Sequence, residues 1–160
     1  GMSTLEVKAI QAPSGYDLQM PAGHILQTVE GTASSQVTTT GAETDTGLTA
    51  TITPSSTSSK ILVIASVMGL QKQGSSTDAR IKLILYRNST SINSSDANLW
   101  TYASTTFRHG GFSMQKLDSP STTSAVTYKI TLSSSDATNA YVQKDGNSGT
   151  SSIVLMEVAG

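Results

Sequence analysis

Three short segments are apolar at nearly every position, and this pattern limits the possible fold more than any other feature of the sequence. They are residues 61–68 (ILVIASVM), 81–86 (IKLILY) and 153–158 (IVLMEV). A strand that is apolar on both faces must be covered on both sides. In a two-layer sandwich the opposite sheet covers one face. We expect a second copy of the chain to cover the other.

The candidate subunit interface comes from these apolar segments. Alternation along a strand places Leu62 with Ile64 on one face, and Val154 with Met156 on one face. Alternation alone does not say whether that face is the interface or the core. A single bulge would exchange the two faces.

Elsewhere the chain alternates between apolar and polar residues with a period of two. Val126, Tyr128, Ile130 and Leu132 alternate with polar residues, which predicts a strand with one wet face. No window shows a sustained helical stripe. About ten short strands at the spacing of sandwiches and barrels predict one all-β domain over residues 21–160. Residues 1–20 are expected to be an N-terminal arm, and Gly1 before Met2 is interpreted as a tag remnant.

The composition excludes several classes of function. Charged residues make up 13%, with ten Lys or Arg against eleven Asp or Glu, which argues against a nucleic-acid clamp. No apolar run has the length of a membrane span, so no membrane insertion is expected. Ser and Thr supply 49 of the 160 residues and cysteine is absent. The β-branched alternation argues against disorder and favours a domain with polar outer faces.

Candidate chemistry is sparse. His24 and His109 lack a zinc-type spacing, and we predict no metal, no cofactor and no catalytic residue. Acidic residues such as Asp96 and Asp118 are interpreted as solvated turn residues rather than as a glycosidase pair. Glu157 falls on the same face as Ile153 and Leu155. It either reaches solvent at a strand end or pairs across an interface with a base such as Lys60 or Arg80.

One aromatic cluster is the candidate ligand surface. Exposed aromatic side chains next to polar groups can stack on sugars or form interface hot spots, although core packing is the alternative. The cluster consists of Trp100, Tyr102, Phe107, Arg108 and His109.

The order of several segments resembles a group of small structural and tail-fibre-like proteins from marine bacteriophages and prophages. The segments are residues 2–11 (MSTLEVKAIQ), 21–27 (PAGHILQ), 45–63 and 153–159 (IVLMEVA). Residues 81–88 (IKLILYRN) are similar to a strand and turn of C1q/TNF-like jelly rolls, with Ser89 in place of a glycine. This second resemblance implies a trimer that packs through one sheet.

We therefore predict an all-β, antiparallel jelly-roll sandwich of C1q/TNF type that forms a homotrimer. The expected function is a non-enzymatic tail-fibre or virion structural and adhesion module, made in the bacterial cytoplasm and located in the virion. Its expected partners are further copies of itself, other virion proteins, and a host glycan or receptor. Two alternatives stay open: a monomeric Ig-like carbohydrate-binding module and a polysaccharide-degrading fibre enzyme.

Overall fold

The computed structural model describes residue 14 and residues 20–73, 80–97, 108–135, 139–144 and 149–160. These residues contain ten β-strands and no helix. The strands are β1 (Ile25–Ala33), β2 (Val37–Thr39), β3 (Thr44–Ile52), β4 (Lys60–Gln73), β5 (Ile81–Arg87), β6 (Thr90–Ala97), β7 (Arg108–Asp118), β8 (Val126–Ser134), β9 (Asn139–Val142) and β10 (Ser151–Val158).

The strands form two antiparallel sheets. In the six-stranded sheet, β1, β10, β4 and β7 lie side by side, and the short β9 and β2 continue it beyond the end of β10. The four-stranded sheet has the order β3-β8-β5-β6. The chain crosses repeatedly from one sheet to the other, as in a jelly roll. The predicted antiparallel jelly-roll sandwich is confirmed.

The core lies between the sheets and follows the predicted alternation. Val126, Tyr128, Ile130 and Leu132 are all buried on the inner face of β8. They pack against inward residues of the other sheet, including Val63 on β4. Both sheets therefore have one face that is closed by the other sheet.

The edge strands β1 and β3 approach closely at one side of the sandwich. A Cβ atom at Gly31 of β1 would overlap the carbonyl oxygen of Thr49 of β3. Only glycine leaves room for this backbone contact. This contact between β1 and β3 therefore fixes how the edge of the six-stranded sheet lies on the edge of the four-stranded sheet.

The predicted arm, residues 1–20, lies outside the described residues except for Ser14 and Met20. The described part of the chain contains no helix with the length and hydropathy of a membrane span.

Candidate subunit interface

The four residues of the candidate interface share one face of the six-stranded sheet, and it is the outer one. Val154 of β10 pairs with Ile64 of β4, and Met156 pairs with Leu62. Each of the four is half-buried and alternates with fully buried core residues such as Leu155. Residues that pair directly across antiparallel strands point to the same side. The four side chains therefore form one contiguous apolar block that the opposite sheet does not cover.

Neighbouring strands extend this block. Leu117 of β7 pairs with Leu62, and its side chain is 51% exposed. At the other edge Ile25 of β1 pairs with Val158 of β10 and is 58% exposed. We call the combined surface the outer apolar patch. It comprises Ile25, Leu62, Ile64, Leu117, Val154, Met156 and Val158.

A row of hydroxyl side chains borders the patch along the sheet. Thr32 of β1, Ser152 of β10, Ser66 of β4 and Ser113 of β7 are consecutive partners in the register. The hydroxyls of Ser66 and Ser113 lie 3.3 Å apart and share a hydrogen bond. The patch is thus apolar in its middle and polar at this border, which is the arrangement of a protein interface.

The outer apolar patch is smaller than the surface that a stable interface buries on each partner. Four strands at their usual spacing and five residues of β10 give roughly 300 Å² of sheet surface. A stable interface buries about 800 Å² on each partner. The patch can therefore be the centre of an interface, and its polar and charged border would supply the remaining area.

The candidate ligand surface lies largely outside the described residues. This applies to Trp100, Tyr102 and Phe107. Arg108 and His109 are the first two residues of β7, where they pair with Lys72 and Gln71 of β4. The prediction that this cluster binds a ligand stays a prediction.

His24 belongs to a turn. Its Nδ1 atom lies 2.9 Å from the carbonyl oxygen of Pro21, and its side chain is exposed. Among the residues that the structure describes, no three His, Asp or Glu side chains come together in a group able to hold a metal ion.

Glu157 is buried, and both expectations for it are wrong. Its side chain is 0% exposed and faces the core. Its Oε1 accepts hydrogen bonds from the backbone N–H and hydroxyl of Ser55 at 2.7 Å each, and its Oε2 accepts one from Gln27 Nε2 at 2.6 Å. These donors satisfy the carboxylate in place of a base. Lys60 points to the outer face opposite Val158, and Arg80 pairs with Asp96 at 3.7 Å.

Hydrogen bonding decides the charge state of Glu157. Burial alone raises the pKa of this carboxyl, but the hydrogen bonds from Gln27 and Ser55 outweigh it and hold the pKa below its usual value. The ionised carboxylate therefore fastens the turn before β4 to β10 and β1. It serves as a structural anchor rather than as part of an interface.

Asp118 is also buried rather than solvated. It accepts a hydrogen bond from the Tyr128 hydroxyl at 2.7 Å and forms an ion pair with Arg87 at 3.0 Å. Burial, followed by the hydrogen bond to Asp118, raises the pKa of Tyr128. The three residues lie on β7, β8 and β5, so they connect the two sheets. Asp96, likewise expected in a turn, lies in β6.

A group of buried polar residues near the far end of β4 was not anticipated. Gln71, Lys72, Gln143 and Ser151 are each at most 1% exposed. Gln143 Nε2 donates to Ser151 Oγ at 3.0 Å, whereas neither amide atom of Gln71 has a partner among the described residues. The sequence gives no periodic signal for this group, because the register of β4 shifts between Val67 and Leu70.

No protein-family model and no curated protein matches the sequence. Solved structures that partly resemble this chain include the Gx strain of infectious bursal disease virus (13% identity, TM-score 0.47) and the VP2 subviral particle of that virus (11%, 0.42). The match covers 93% and 96% of this chain but only 40% and 42% of the viral chains. The Stig cyclase Fisc from Fischerella sp. TAU has 13% identity and a TM-score of 0.37, over 75% of this chain and 57% of that one. These likenesses concern the fold alone.

Proposed function

We propose that the protein is a non-enzymatic structural module of a virion that assembles into a homotrimer through the outer apolar patch. The patch carries the proposal. Seven apolar residues lie together on one sheet face, and the four at its centre are held in place by the β4–β10 register. Burying such a face against another copy releases apolar surface from water without rearranging the fold.

The virion context rests on the sequence resemblance to phage and prophage structural proteins. A tail-fibre or decoration module fits the low charge and the Ser- and Thr-rich strands of this sandwich. In such a module three copies would present three copies of the candidate ligand surface. Simultaneous engagement raises the apparent affinity by about 10²–10⁴.

Light scattering of the purified protein at two concentrations tests the assembly. We expect a mass three times the 16.6 kDa of the chain. A monomer at both concentrations would contradict the proposal and would favour the carbohydrate-binding alternative.

A pair of variants tests the surface. Met156→Glu places a charge at the centre of the patch, where the side chain is only half-buried, so the variant is expected to fold and to be monomeric. Thr51→Glu places the same charge on an exposed position of the four-stranded sheet and should leave the trimer intact. Circular dichroism on both variants confirms folding. A trimeric Met156→Glu variant would show that another surface holds the copies together.

The adhesive role has its own test. Trp100→Ala in the trimer should weaken binding to a panel of bacterial surface polysaccharides if the aromatic cluster is the ligand surface. Equal binding by the variant and the native protein would remove the cluster from the proposal without affecting the structural role. Release of reducing ends from the same polysaccharides would instead identify an enzyme.

A further inference from the structure

One acidic and one basic side chain border the outer apolar patch on the same sheet face. Glu30 of β1 pairs with Val154, and Lys60 at the start of β4 pairs with Val158. Both side chains are exposed. Neither forms an ion pair with another residue in the part of the chain that the structure describes.

The two charges are too far apart to meet within one copy. The register separates them by two strand spacings, roughly 10 Å, and by four residues along the strands, roughly 14 Å. Their Cα atoms are therefore about 17 Å apart. The two side chains lie on opposite sides of Met156, so each would lie inside the border of any interface that buries the patch.

We infer that, in the assembled protein, Glu30 of each copy forms an ion pair with Lys60 of the next copy. This inference rests on the proposed self-assembly and names the polar contact that orients it. Glu30 lies at the edge of the sheet and Lys60 lies nearer its middle. When a second copy is rotated or shifted relative to the first, the acid of one copy can therefore face the base of the other. In a closed ring every copy offers one charge to each neighbour. Ion pairs at the border of an interface mainly determine the orientation in which the copies associate, and they contribute less to the affinity.

Charge exchange tests the pair. Glu30→Lys and Lys60→Glu each replace attraction by repulsion, and each should raise the protein concentration needed for half-assembly about tenfold. The double variant restores the opposite charges in exchanged positions and should assemble within about threefold of the native protein. Raising the salt concentration should weaken the native assembly and strengthen both single variants. Sedimentation velocity at low and high sodium chloride measures all of these.

The control is Lys82→Glu, which makes the same charge change at an exposed position of the four-stranded sheet. It should assemble like the native protein. A stable native trimer that is indifferent to both single exchanges would overturn the ion pair and leave the proposed function standing. A native protein that is monomeric at all concentrations would overturn both. Because Glu30 and Lys60 are exposed, loss of folding is not expected, and thermal unfolding of each variant checks this.

Discussion

The hydroxyl of Tyr128 on the four-stranded sheet donates a 2.7 Å hydrogen bond to the carboxylate of Asp118 on the six-stranded sheet. Arg87 holds the same carboxylate, so one buried acid connects three strands. Removing one member of such a group takes a hydrogen-bond partner away from at least one of the others. The contact therefore contributes to how the two sheets are joined.

We predict that Asp118→Ala lowers the free energy of unfolding by about 3 kcal/mol, because the buried Tyr128 hydroxyl loses its acceptor and Arg87 loses its carboxylate partner, although the carbonyl oxygen of Ser119 still accepts from Arg87. Tyr128→Phe keeps the ring in the core and loses one hydrogen bond to a charged group, which costs about 1.5–3 kcal/mol. The double variant should lose less than the sum of the two. Urea denaturation measures all three variants, and strictly additive losses would mean that the two groups act independently.

The buried carboxylate of Glu157 should make stability depend on pH. Because its pKa is lowered in the folded protein, the stabilisation is fully present above the pKa of an unfolded glutamate, about 4.3, and is lost as the pH falls through the folded-state pKa. Glu157→Gln should therefore flatten the stability profile in this acidic range. At pH 7 it should cost about 1–3 kcal/mol, because the donors of Ser55 and Gln27 lose a charged acceptor.

Urea denaturation between pH 7 and pH 3 checks this prediction. The control at pH 7 is Asp96→Asn, at an exposed position of the four-stranded sheet, where losing the surface ion pair with Arg80 should change the free energy of unfolding by at most about 1 kcal/mol. If Glu157→Gln followed the native profile throughout the acidic range, Glu157 would not be the group responsible.

The predictable part of this fold is the part that alternation encodes. Tyr128 and Ile130 are buried because every second residue of a strand faces the same side. Local alternation predicts this without knowledge of any residue distant in the sequence. Glu157 shows the limit. Alternation placed it on the same face as Ile153 and Leu155, but did not show that this face is the inner one. The donors that make burial tolerable come from Ser55 and Gln27, which are 102 and 130 residues away in the sequence.

Alternation predicted the grouping of residues in the outer apolar patch but not the side of the sheet on which they lie. Parity grouped Leu62 with Ile64 and Val154 with Met156, but it could not say which face looked outward. The β4–β10 register brings the two pairs together, and the buried Glu157 and Leu155 between them fix the direction. Gln71 could not be placed at all, since the register shift before it breaks the alternation.

The close approach of β1 and β3 predicts a strong effect of a single methyl group. Gly31→Ala should lower the free energy of unfolding by about 3 kcal/mol, because the new Cβ overlaps the backbone carbonyl of Thr49, which cannot move without shifting a strand. Gly111→Ala is the matched control. Its Cβ would lie 2.9 Å from the sulfur of Met68, the flexible end of a side chain, so we expect a change within about 1 kcal/mol. If Gly31→Ala cost as little stability as Gly111→Ala, β1 and β3 would be able to move apart and admit the new methyl group.

The Gln71 amide predicts a gain in stability. Its side chain is 1% exposed, and neither amide atom has a hydrogen-bond partner among the described residues. Burying such an amide costs about 1–3 kcal/mol, and methionine fills nearly the same volume without polar atoms. Gln71→Met should therefore raise the free energy of unfolding by about 1 kcal/mol or more. Gln143→Met, which breaks the 3.0 Å bond to Ser151, should not stabilise the protein. Thermal and urea unfolding compare the two variants, and a destabilised Gln71→Met would show that this amide makes a favourable contact in solution.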